Sequence, residues 1–225
     1  MLRVAIDGPG GTGKSTIAKA IAERFGIEYI DTGAMYRAIA LKTIICDIEP
    51  EDEKRISLML DRTKIDFNNN KAMLDDKDVS DDIRTNEISM RASTVSKHLC
   101  VRNKVDAVSK YLASTRSVVM EGRDIGTVVI PDAEVKIFMT AKAEIRAERR
   151  VEQLLLAGKE ADYDRVFKEI NDRDYQDSNR AINPLRQSED AVYLDTSDMS
   201  IEENIEAVAD IITEKTGYQT IIKEN

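Results

Sequence analysis

The sequence predicts an α/β fold built on a parallel sheet, and three observations carry this prediction. Short apolar segments alternate with amphipathic segments from the N-terminus onward, as they do in β-α-β units. A glycine-rich turn follows the first apolar segment, and a capping signature precedes the last amphipathic one. Finally, 225 residues with 42% apolar and 33% charged side chains are enough to bury a sizeable core.

The N-terminal elements open the sheet in β-α-β-α order. In chain order we predict a strand at 2–6, a helix at 14–25, a strand at 27–30 and a helix at 34–45. Ile17, Ile21 and Phe25 recur every four residues and give the first helix one apolar face. Gly26 is placed to end that helix, because glycine adopts the left-handed conformation of C-terminal caps.

Residues 47–97 differ in character and predict an insertion on the core. Asn68-Asn69-Asn70 separates two short apolar runs, which indicates a polar hairpin, and short helices are predicted at Asp81-Asp82 and at 89–96. The core then resumes with a helix around 101–112, strands at 117–120 and 135–139, helices at 144–156 and from 162, a strand at 191–194 and a final helix from 201. Ser200 and Glu203 form a capping-box signature before that helix, and Gly217 lies at its end.

Composition excludes several classes of function. The net charge of −9 argues against general nucleic-acid binding, which requires a basic face. No apolar run approaches the ~20 residues of a membrane span, and the first residues lack an apolar leader before Asp7. Cys46 and Cys100 are too few to staple a chain of this length, so a cytoplasmic protein is expected. A single histidine disfavours Ser-His or Cys-His catalysis and a histidine-rich metal site.

Residues 8–15 read GPGGTGKS and match the phosphate-loop pattern GxxxxGK[ST]. Glycines allow backbone N–H groups to turn toward a phosphate, the lysine adds a positive charge, and the serine hydroxyl can bind Mg²⁺. The pattern also lies where it must, after a strand and before a helix. The predicted phosphate-binding residues are Gly8, Pro9, Gly10, Gly11, Thr12, Gly13, Lys14, Ser15 and Thr16, with Ser15 as the metal ligand.

A phosphate loop by itself indicates nucleotide binding and no particular reaction. Residues 103–106 match the NKxD pattern of GTPases, but they fall on the apolar stripe of a predicted helix rather than after a strand. The early DxxG at Asp7–Gly10 overlaps the phosphate loop and cannot serve as a second switch. These mismatches disfavour a GTPase, and size and negative charge disfavour a nucleic-acid motor.

Arginines concentrate in the C-terminal part of this acidic chain. Seven occur between residues 146 and 186, namely Arg146, Arg149, Arg150, Arg165, Arg173, Arg180 and Arg186. The first three recur at i, i+3 and i+4, on one face of a helix. They could form solvated pairs with Glu144, Glu148 and Glu152, but phosphoryl transfer requires charge neutralisation that guanidinium groups supply.

Two further cations follow predicted strands. Arg37 comes one turn after Asp31-Thr32-Gly33, and Arg123-Asp124 follows the strand at 117–120. Ligands of open parallel sheets bind at the carboxyl ends of the strands. Two sites suited to phosphate on one sheet predict a donor and an acceptor nucleotide.

These residues resemble the nucleoside monophosphate kinases and, within them, the bacterial cytidylate kinases. The resemblance covers almost the whole chain and rests on ordered motifs, among them IDGPGGTGKST at 6–16, DTGAMYRA at 31–38, DVSDDIRTNEIS at 78–89, MEGRDIGTVVIPDAEVKIFMTA at 120–141, RAERR at 146–150, INDRDYQDSNRAINPL at 170–185 and DAVYLDTS at 190–197. The chain departs from the family at Ser109-Lys110, where Gln-Arg is common, and in lacking a proline before Val101.

The resemblance implies a phosphate-loop kinase core with a five-stranded parallel sheet flanked by helices. The core would comprise residues 1–37, 98–148 and 180–225, with a monophosphate-binding insertion at 38–97 and a closing lid at 149–179. It implies transfer of the γ-phosphoryl group of ATP to CMP, and to dCMP also, giving ADP and CDP with Mg²⁺. A monomer without nucleic-acid or membrane partners is expected.

The resemblance also implies which residues bind the acceptor and assist transfer. The CMP-binding residues would be Thr32, Tyr36, Arg37, Ser93, Arg102, Arg123, Asp124, Arg173, Asp177 and Arg180. The catalytic residues would be Lys14, Arg123, Arg146, Arg150 and Arg180.

The chemistry of CMP suits these assignments. A carboxylate such as Asp124 can accept from the N4 amino group of cytosine, with Ser93 and Arg102 binding the rest of the base edge. Arg37 and Arg123 suit the acceptor phosphate, and Arg173 with Asp177 suits the ribose hydroxyls. No general base is required, because the acceptor phosphate is already an anion.

Two alternatives remain open from the sequence. The first is a kinase for another small acceptor, such as UMP or a non-nucleotide compound. The second is a nucleotide-sensing module without turnover, which would bind ATP and form no product.

Overall fold

The computed structural model describes residues 1–221 and alternates strands with helices along the chain. Its elements are β1 (Arg3–Asp7), α1 (Lys14–Phe25), β2 (Glu28–Asp31), α2 (Thr32–Ile45), α3 (Glu53–Leu60), β3 (Ile65–Asn68), β4 (Lys71–Leu74), β5 (Lys77–Asp78), α4 (Asn86–Val95), α5 (Leu99–Thr115), β6 (Val118–Gly122), a π-helical turn (Ile125–Val129), β7 (Val135–Thr140), α6 (Ala143–Leu156), α7 (Tyr163–Asn179), β8 (Val192–Asp195) and α8 (Ile201–Thr216).

Five parallel strands form the main sheet, in the order β2-β6-β1-β7-β8, which confirms the predicted fold class. β1 lies at the centre and pairs with β7 from Val4–Val135 to Asp7–Phe138. Val4, Ala5 and Ile6 are fully buried, as expected for a strand covered on both faces. The carboxyl end of β1 leads directly into the phosphate loop, which we define as Gly8–Ser15.

The chain divides into two compact units. The first comprises Met1–Ile27 and the described residues from Val119 onward, and contains the phosphate loop, α1 and α6–α8. The second comprises Glu28–Val118 and contains α2–α5 with a small antiparallel sheet in the order β3-β4-β5. Ile39, Ile56 and Phe67 lie in the core of this second unit.

Local signals in the sequence locate several elements correctly. α1 occupies the predicted residues, and Gly26 ends it with a φ of 61°. The capping box of α8 forms on both sides: the Ser200 hydroxyl accepts from the Glu203 amide at 3.2 Å, and the Glu203 carboxylate accepts from the Ser200 amide at 2.7 Å. Residues 103–106 lie inside α5, so the GTPase-like pattern is not in the required context.

The predicted insertion contains both a correct and an incorrect element. The polar hairpin forms as β3 and β4, joined at Asn69 and Asn70, which both have positive φ. The prediction of a helix at Asp81-Asp82 is wrong. These residues form a single turn, which is closed by a hydrogen bond of 3.2 Å from the Arg84 amide to the Asp81 carbonyl.

Three elements have no counterpart among the predictions. The charged residues at the start of α3 do not predict a helix, although the Asp52 side chain caps it by accepting from the Arg55 amide at 3.0 Å. β5 has only two residues, and the π-helical turn at 125–129 depends on contacts with β1 that a local pattern does not show. Among the helices described within residues 1–221, none combines the length and the apolar content needed to cross a membrane.

Candidate active site

The phosphate loop connects β1 to α1 and relies on glycine at two positions. Gly13 caps the N-terminus of α1 with a φ of 90°, a conformation that L side chains rarely adopt. A Cβ at Gly8 would lie 1.9 Å from the carbonyl oxygen of Met139, so only glycine allows the loop to pass this close to β7. The loop therefore enters α1 with backbone N–H groups available for an anion at the positive end of the helix dipole.

Lys14 lies buried within the loop. Its ammonium donates to the Pro9 carbonyl at 2.6 Å and to the Thr12 hydroxyl at 3.3 Å. Burial and the nearby positive charge of Arg123 lower the pKa of Lys14 from its ordinary value. An anion bound in the loop would favour the charged form of Lys14, since an opposite charge offsets both causes.

Asp7, the last residue of β1, is buried beside the loop. Its Oδ1 accepts from the Ile125 amide at 2.8 Å and its Oδ2 accepts from the Gly126 amide at 2.7 Å. Burial raises the pKa of Asp7 to about 6, although the two backbone hydrogen bonds oppose this rise. Glu121, near the end of β6, is a second buried carboxylate close to Lys14.

Arg123, Asp124, Asp177 and Arg180 form what we call the arginine–carboxylate cluster, in the first unit. Arg123 donates through Nε to Asp177 at 2.8 Å, and a Cβ at Gly10 would lie 3.6 Å from its Nη2. Burial alone would lower the pKa of Arg123, but the attraction and hydrogen bond of Asp177 outweigh it and raise that pKa. Burial likewise opposes ionisation of Asp177, yet Arg123 keeps the pKa of this carboxyl below its ordinary value.

Arg180 completes the cluster. Its Nη2 lies 3.4 Å from Asp124 and its Nη1 lies 3.9 Å from Asp177, while Nε donates to the Asn183 carbonyl at 2.6 Å. The structure thus brings together four of the predicted acceptor residues next to the phosphate loop. Arg173 is exposed on α7, one turn before Asp177.

The arginines of α6 have three different environments. Arg146 is buried and donates to the Ala141 carbonyl at 2.9 Å, to the Gly10 carbonyl at 3.0 Å and to Asp174 at 2.6 Å. Arg149 donates to the Thr196 carbonyl at 2.6 Å, and exposed Arg150 donates to Gln153 of its own helix at 2.6 Å. Only Arg146 of the three contacts the phosphate loop in these hydrogen bonds.

The second unit contains a separate group of the predicted acceptor residues. Asp31 caps α2 by accepting from the Ala34 amide at 2.9 Å, and its other oxygen accepts from Arg37 at 2.7 Å. A Cβ at Gly33 would lie 2.9 Å from Asp31, so glycine leaves room for the cap and for Arg37 together. Thr32, the first residue of α2, is buried beside them.

Arg102 is the largest fully buried side chain of the second unit. Its guanidinium carbon lies 5.6 Å from the centre of the Tyr36 ring, and its Nη1 donates to the Ser96 carbonyl at 3.2 Å. Ser93 lies on the last turns of α4, three residues before Ser96. Ser109 of α5 is buried with its hydroxyl 3.9 Å from the Met35 sulfur.

The residues present fit a magnesium ion that is bound largely through a nucleotide. Within residues 1–221, no three His, Cys, Asp or Glu side chains are grouped to hold a metal by themselves. Ser15 is exposed on the first turn of α1, next to the loop. Mg²⁺ usually keeps several waters and takes few protein ligands when phosphates supply the rest.

Three carboxylates that position arginines or backbone were not among the predicted site residues. Asp31 was detectable, because an aspartate before a helix is a common N-cap. Asp174 and Asp7 gave no local signal, since their partners lie 28 and 118 residues away in the sequence. Only the fold brings these pairs into contact.

The family profile and two sequence relatives of this chain share one description. The family profile described as cytidylate kinase matches residues 4–214. A cytidylate kinase of Thermosipho melanesiensis is 46% identical over 213 residues, which cover 95% of this chain and 97% of that protein. A cytidylate kinase of Caldicellulosiruptor saccharolyticus is 44% identical over 222 residues, covering 97% of this chain and 98% of that protein.

The solved structures give a likeness of fold. A crystal structure of an uncharacterized protein from Eubacterium ventriosum has a TM-score of 0.52 at 12% identity, and the match covers 94% of this chain and 98% of that one. At this level of identity the likeness concerns architecture alone.

Proposed function

Because this chain belongs to the cytidylate kinase family, we propose that it transfers the γ-phosphoryl group of ATP to CMP, giving ADP and CDP. We extend the proposal to dCMP as a second acceptor. The observation that carries it is the pair of arginines beside Gly10: Arg146 donates to the Gly10 carbonyl, and the Arg123 guanidinium lies close to the same residue. These two cations place positive charge where donor phosphates would be held.

The donor would be bound by the phosphate loop. Backbone N–H groups of the loop and the N-terminus of α1 would bind the ATP phosphates, and Lys14 would turn from the Pro9 carbonyl toward them. Ser15 would hold Mg²⁺, whose positive charge would stabilise the negative charge on the phosphate oxygens. Phosphoryl transfer depends mainly on positioning and charge neutralisation, which these groups supply.

The acceptor would be oriented by its phosphate and by its base. We assign Arg37 and Arg123 to the CMP phosphate, Arg173 and Asp177 to the ribose, and Ser93, Arg102 and Asp124 to cytosine; Thr32, Tyr36 and Arg180 complete the set. Uracil carries O4 where cytosine carries the N4 amine, so UMP would face the Asp124 carboxylate with no donor. A buried unpaired acceptor costs ~1–3 kcal/mol, which is roughly a five- to two-hundredfold preference for CMP.

Transfer itself would need no general base. The acceptor phosphate is already an anionic nucleophile, so the protein has to bring two anions together and screen their repulsion. We assign Lys14, Arg123, Arg146 and Arg180 to that screening, with Arg150 joining them when its helix closes on the donor. Closure would also exclude water, which otherwise competes as an acceptor.

We propose the same division of labour for the rest of the chain. Residues 38–97 would bind the monophosphate, residues 149–179 would act as the lid, and 1–37, 98–148 and 180–225 would form the core. The protein would act as a cytoplasmic monomer, and the free thiols of Cys46 and Cys100 support a reducing compartment.

A panel of acceptors tests the proposal. Release of ADP from Mg-ATP is followed with CMP, dCMP, UMP and a non-nucleotide alcohol, with a reaction that lacks an acceptor as the control. We expect kcat/KM to be highest for CMP and lower for UMP by roughly five- to two-hundredfold. ATP binding without ADP release would indicate a sensing module, and a higher kcat/KM for UMP than for CMP would contradict the assignment of Asp124.

A further inference from the structure

Asp7 is a buried carboxylate that has no part in the proposed chemistry. It is the last residue of β1, only 5% of it is exposed, and it immediately precedes the phosphate loop. Both oxygens are used: Oδ1 accepts from the Ile125 amide at 2.8 Å and Oδ2 accepts from the Gly126 amide at 2.7 Å. These amides are the first two of the π-helical turn, so Asp7 caps that turn from a different part of the chain.

The structure on each side of this contact is closely packed. On the β1 side, Gly8 passes so near Met139 that no Cβ fits, which fixes where the Asp7 backbone lies. On the other side, a Cβ at Gly126 would lie 3.2 Å from the Lys136 side chain and 3.4 Å from Asp7 itself. The turn is closed behind the contact by the Val128 amide, which donates to the Asp124 carbonyl at 2.9 Å.

The two residues directly before the capped amides are Arg123 and Asp124. We propose that Asp7 is a positioning residue that fixes these two side chains relative to the phosphate loop and thereby sets acceptor selectivity. This inference rests on the proposed function, in which Arg123 binds the acceptor phosphate and Asp124 reads the base.

The contact between Asp7 and the turn requires two hydrogen-bond acceptors, which the carboxylate supplies. Burying a carboxylate is unfavourable, and burial accordingly raises the pKa of Asp7. What the carboxylate supplies is two acceptors in one rigid plane, each at hydrogen-bond distance from one amide. Asparagine has the same shape but only one acceptor, and its NH₂ group would face a backbone N–H. Asp7→Asn therefore breaks half of the contact and leaves the volume unchanged.

The experiment compares kcat/KM for CMP and for UMP in the wild type and in Asp7→Asn. In Asp7→Asn, Arg123 is displaced from the phosphate of either acceptor. The contact of Asp124 with an N4 amine is lost for CMP alone. We expect kcat/KM for CMP to fall by about tenfold or more and the CMP:UMP ratio to narrow by about fivefold or more. Changes on the donor side, including any effect of the lost charge on Lys14, act equally on both acceptors and cancel in this ratio.

Two further variants keep the test decisive. Ser200→Ala removes the capping box of α8 and serves as a stability control; it should lower the unfolding midpoint and leave the CMP:UMP ratio unchanged. Gly126→Ala disturbs the same contact from the opposite side and should narrow the ratio in the same direction by a few-fold. If Asp7→Asn does not fold, the CMP:UMP ratio of Gly126→Ala tests the positioning role by itself.

The outcomes separate this inference from the proposed function. A wild type that phosphorylates CMP, with an Asp7→Asn variant that loses CMP and UMP activity in equal proportion, would overturn the positioning role and leave the function standing. An unchanged ratio and rate in Asp7→Asn would do the same. A wild type that phosphorylates neither CMP nor UMP contradicts both proposals.

Discussion

The phosphate loop and the arginine–carboxylate cluster are both suited to negative charge, but they use different parts of the chain. The loop relies on backbone N–H groups and a helix N-terminus, all within Gly8–Ser15. The cluster relies on side chains, and each arginine in it is oriented by a carboxylate from a distant segment, as Arg123 is by Asp177. Backbone donors are placed by local conformation, whereas guanidinium groups are placed only once the whole unit has folded.

This difference has a chemical consequence. Backbone groups carry partial charges that do not titrate and that bind any phosphate, which suits a common donor. Arginines paired with carboxylates remain charged and can exchange one anionic partner for another, which suits an acceptor that arrives and leaves. In the proposed function the loop would therefore supply affinity for the donor, and the cluster would orient and select the acceptor.

The largest expected effect comes from the one side-chain cation of the loop. Lys14→Ala should lower kcat by about a hundred- to a thousandfold, because a donor aimed at developing charge is lost from a buried site. Steady-state ADP release measures it, with Lys19→Ala, an exposed lysine on the same helix, as the matched control. Retention of more than a tenth of wild-type kcat would mean that the backbone of the loop is sufficient.

The raised pKa of Asp7, which links the two regions, should make the free energy of unfolding depend on pH. Its pKa is about 6 when folded and near 3.8 when unfolded, so the folded protein binds the extra proton between these values. The stability that Asp7 contributes is fully present below pH ~4 and is lost as pH rises through ~6. Urea unfolding should find the wild type losing up to about 3 kcal/mol relative to Asp7→Asn between pH 4 and 7. A difference independent of pH would contradict the raised pKa.

The selectivity of the cluster is tested at Asp124. Asp124→Ala should lower kcat/KM for CMP by roughly five- to two-hundredfold and that for UMP much less, because only cytosine donates to this carboxylate. Parallel assays with the two acceptors measure the ratio. Equal losses for both nucleotides would mean that Asp124 acts through Arg180, which lies 3.4 Å away, rather than on the base.

The smallest effect is expected at Asp174 of α7, which pairs with the arginine that contacts the phosphate loop. Asp174→Asn removes the charge that faces Arg146 at 2.6 Å and should lower kcat about tenfold, since the Gly10 contact then lacks a fixed guanidinium. Asp172→Asn, an exposed neighbour on α7, is the control and should have no effect. A loss of the same size in both variants would attribute the effect to α7 as a whole.

The two regions also differ in how far the sequence predicts them. The phosphate loop, α1 and the capping box of α8 depend on residues within a few positions of one another, so local patterns are sufficient. The residue types of the cluster could be predicted by resemblance, but their partners could not. Arg123 and Asp177 are 54 residues apart, and nothing near Arg123 indicates which carboxylate will face it. Arg150 likewise shares the helical spacing of Arg146, yet one is exposed and the other is buried.

The three hydrogen bonds of Arg146 couple α7 thermodynamically to the phosphate loop. Displacement of α7 would remove Asp174 and leave a buried guanidinium with its charge uncompensated against the Gly10 carbonyl. A nucleotide that binds best when Arg146 holds Gly10 must make local opening of α7 less frequent. By thermodynamic reciprocity, a change that loosens α7 must lower the affinity for that nucleotide. Slower amide exchange along 163–179 on adding ATP alone would be the signature of this linkage.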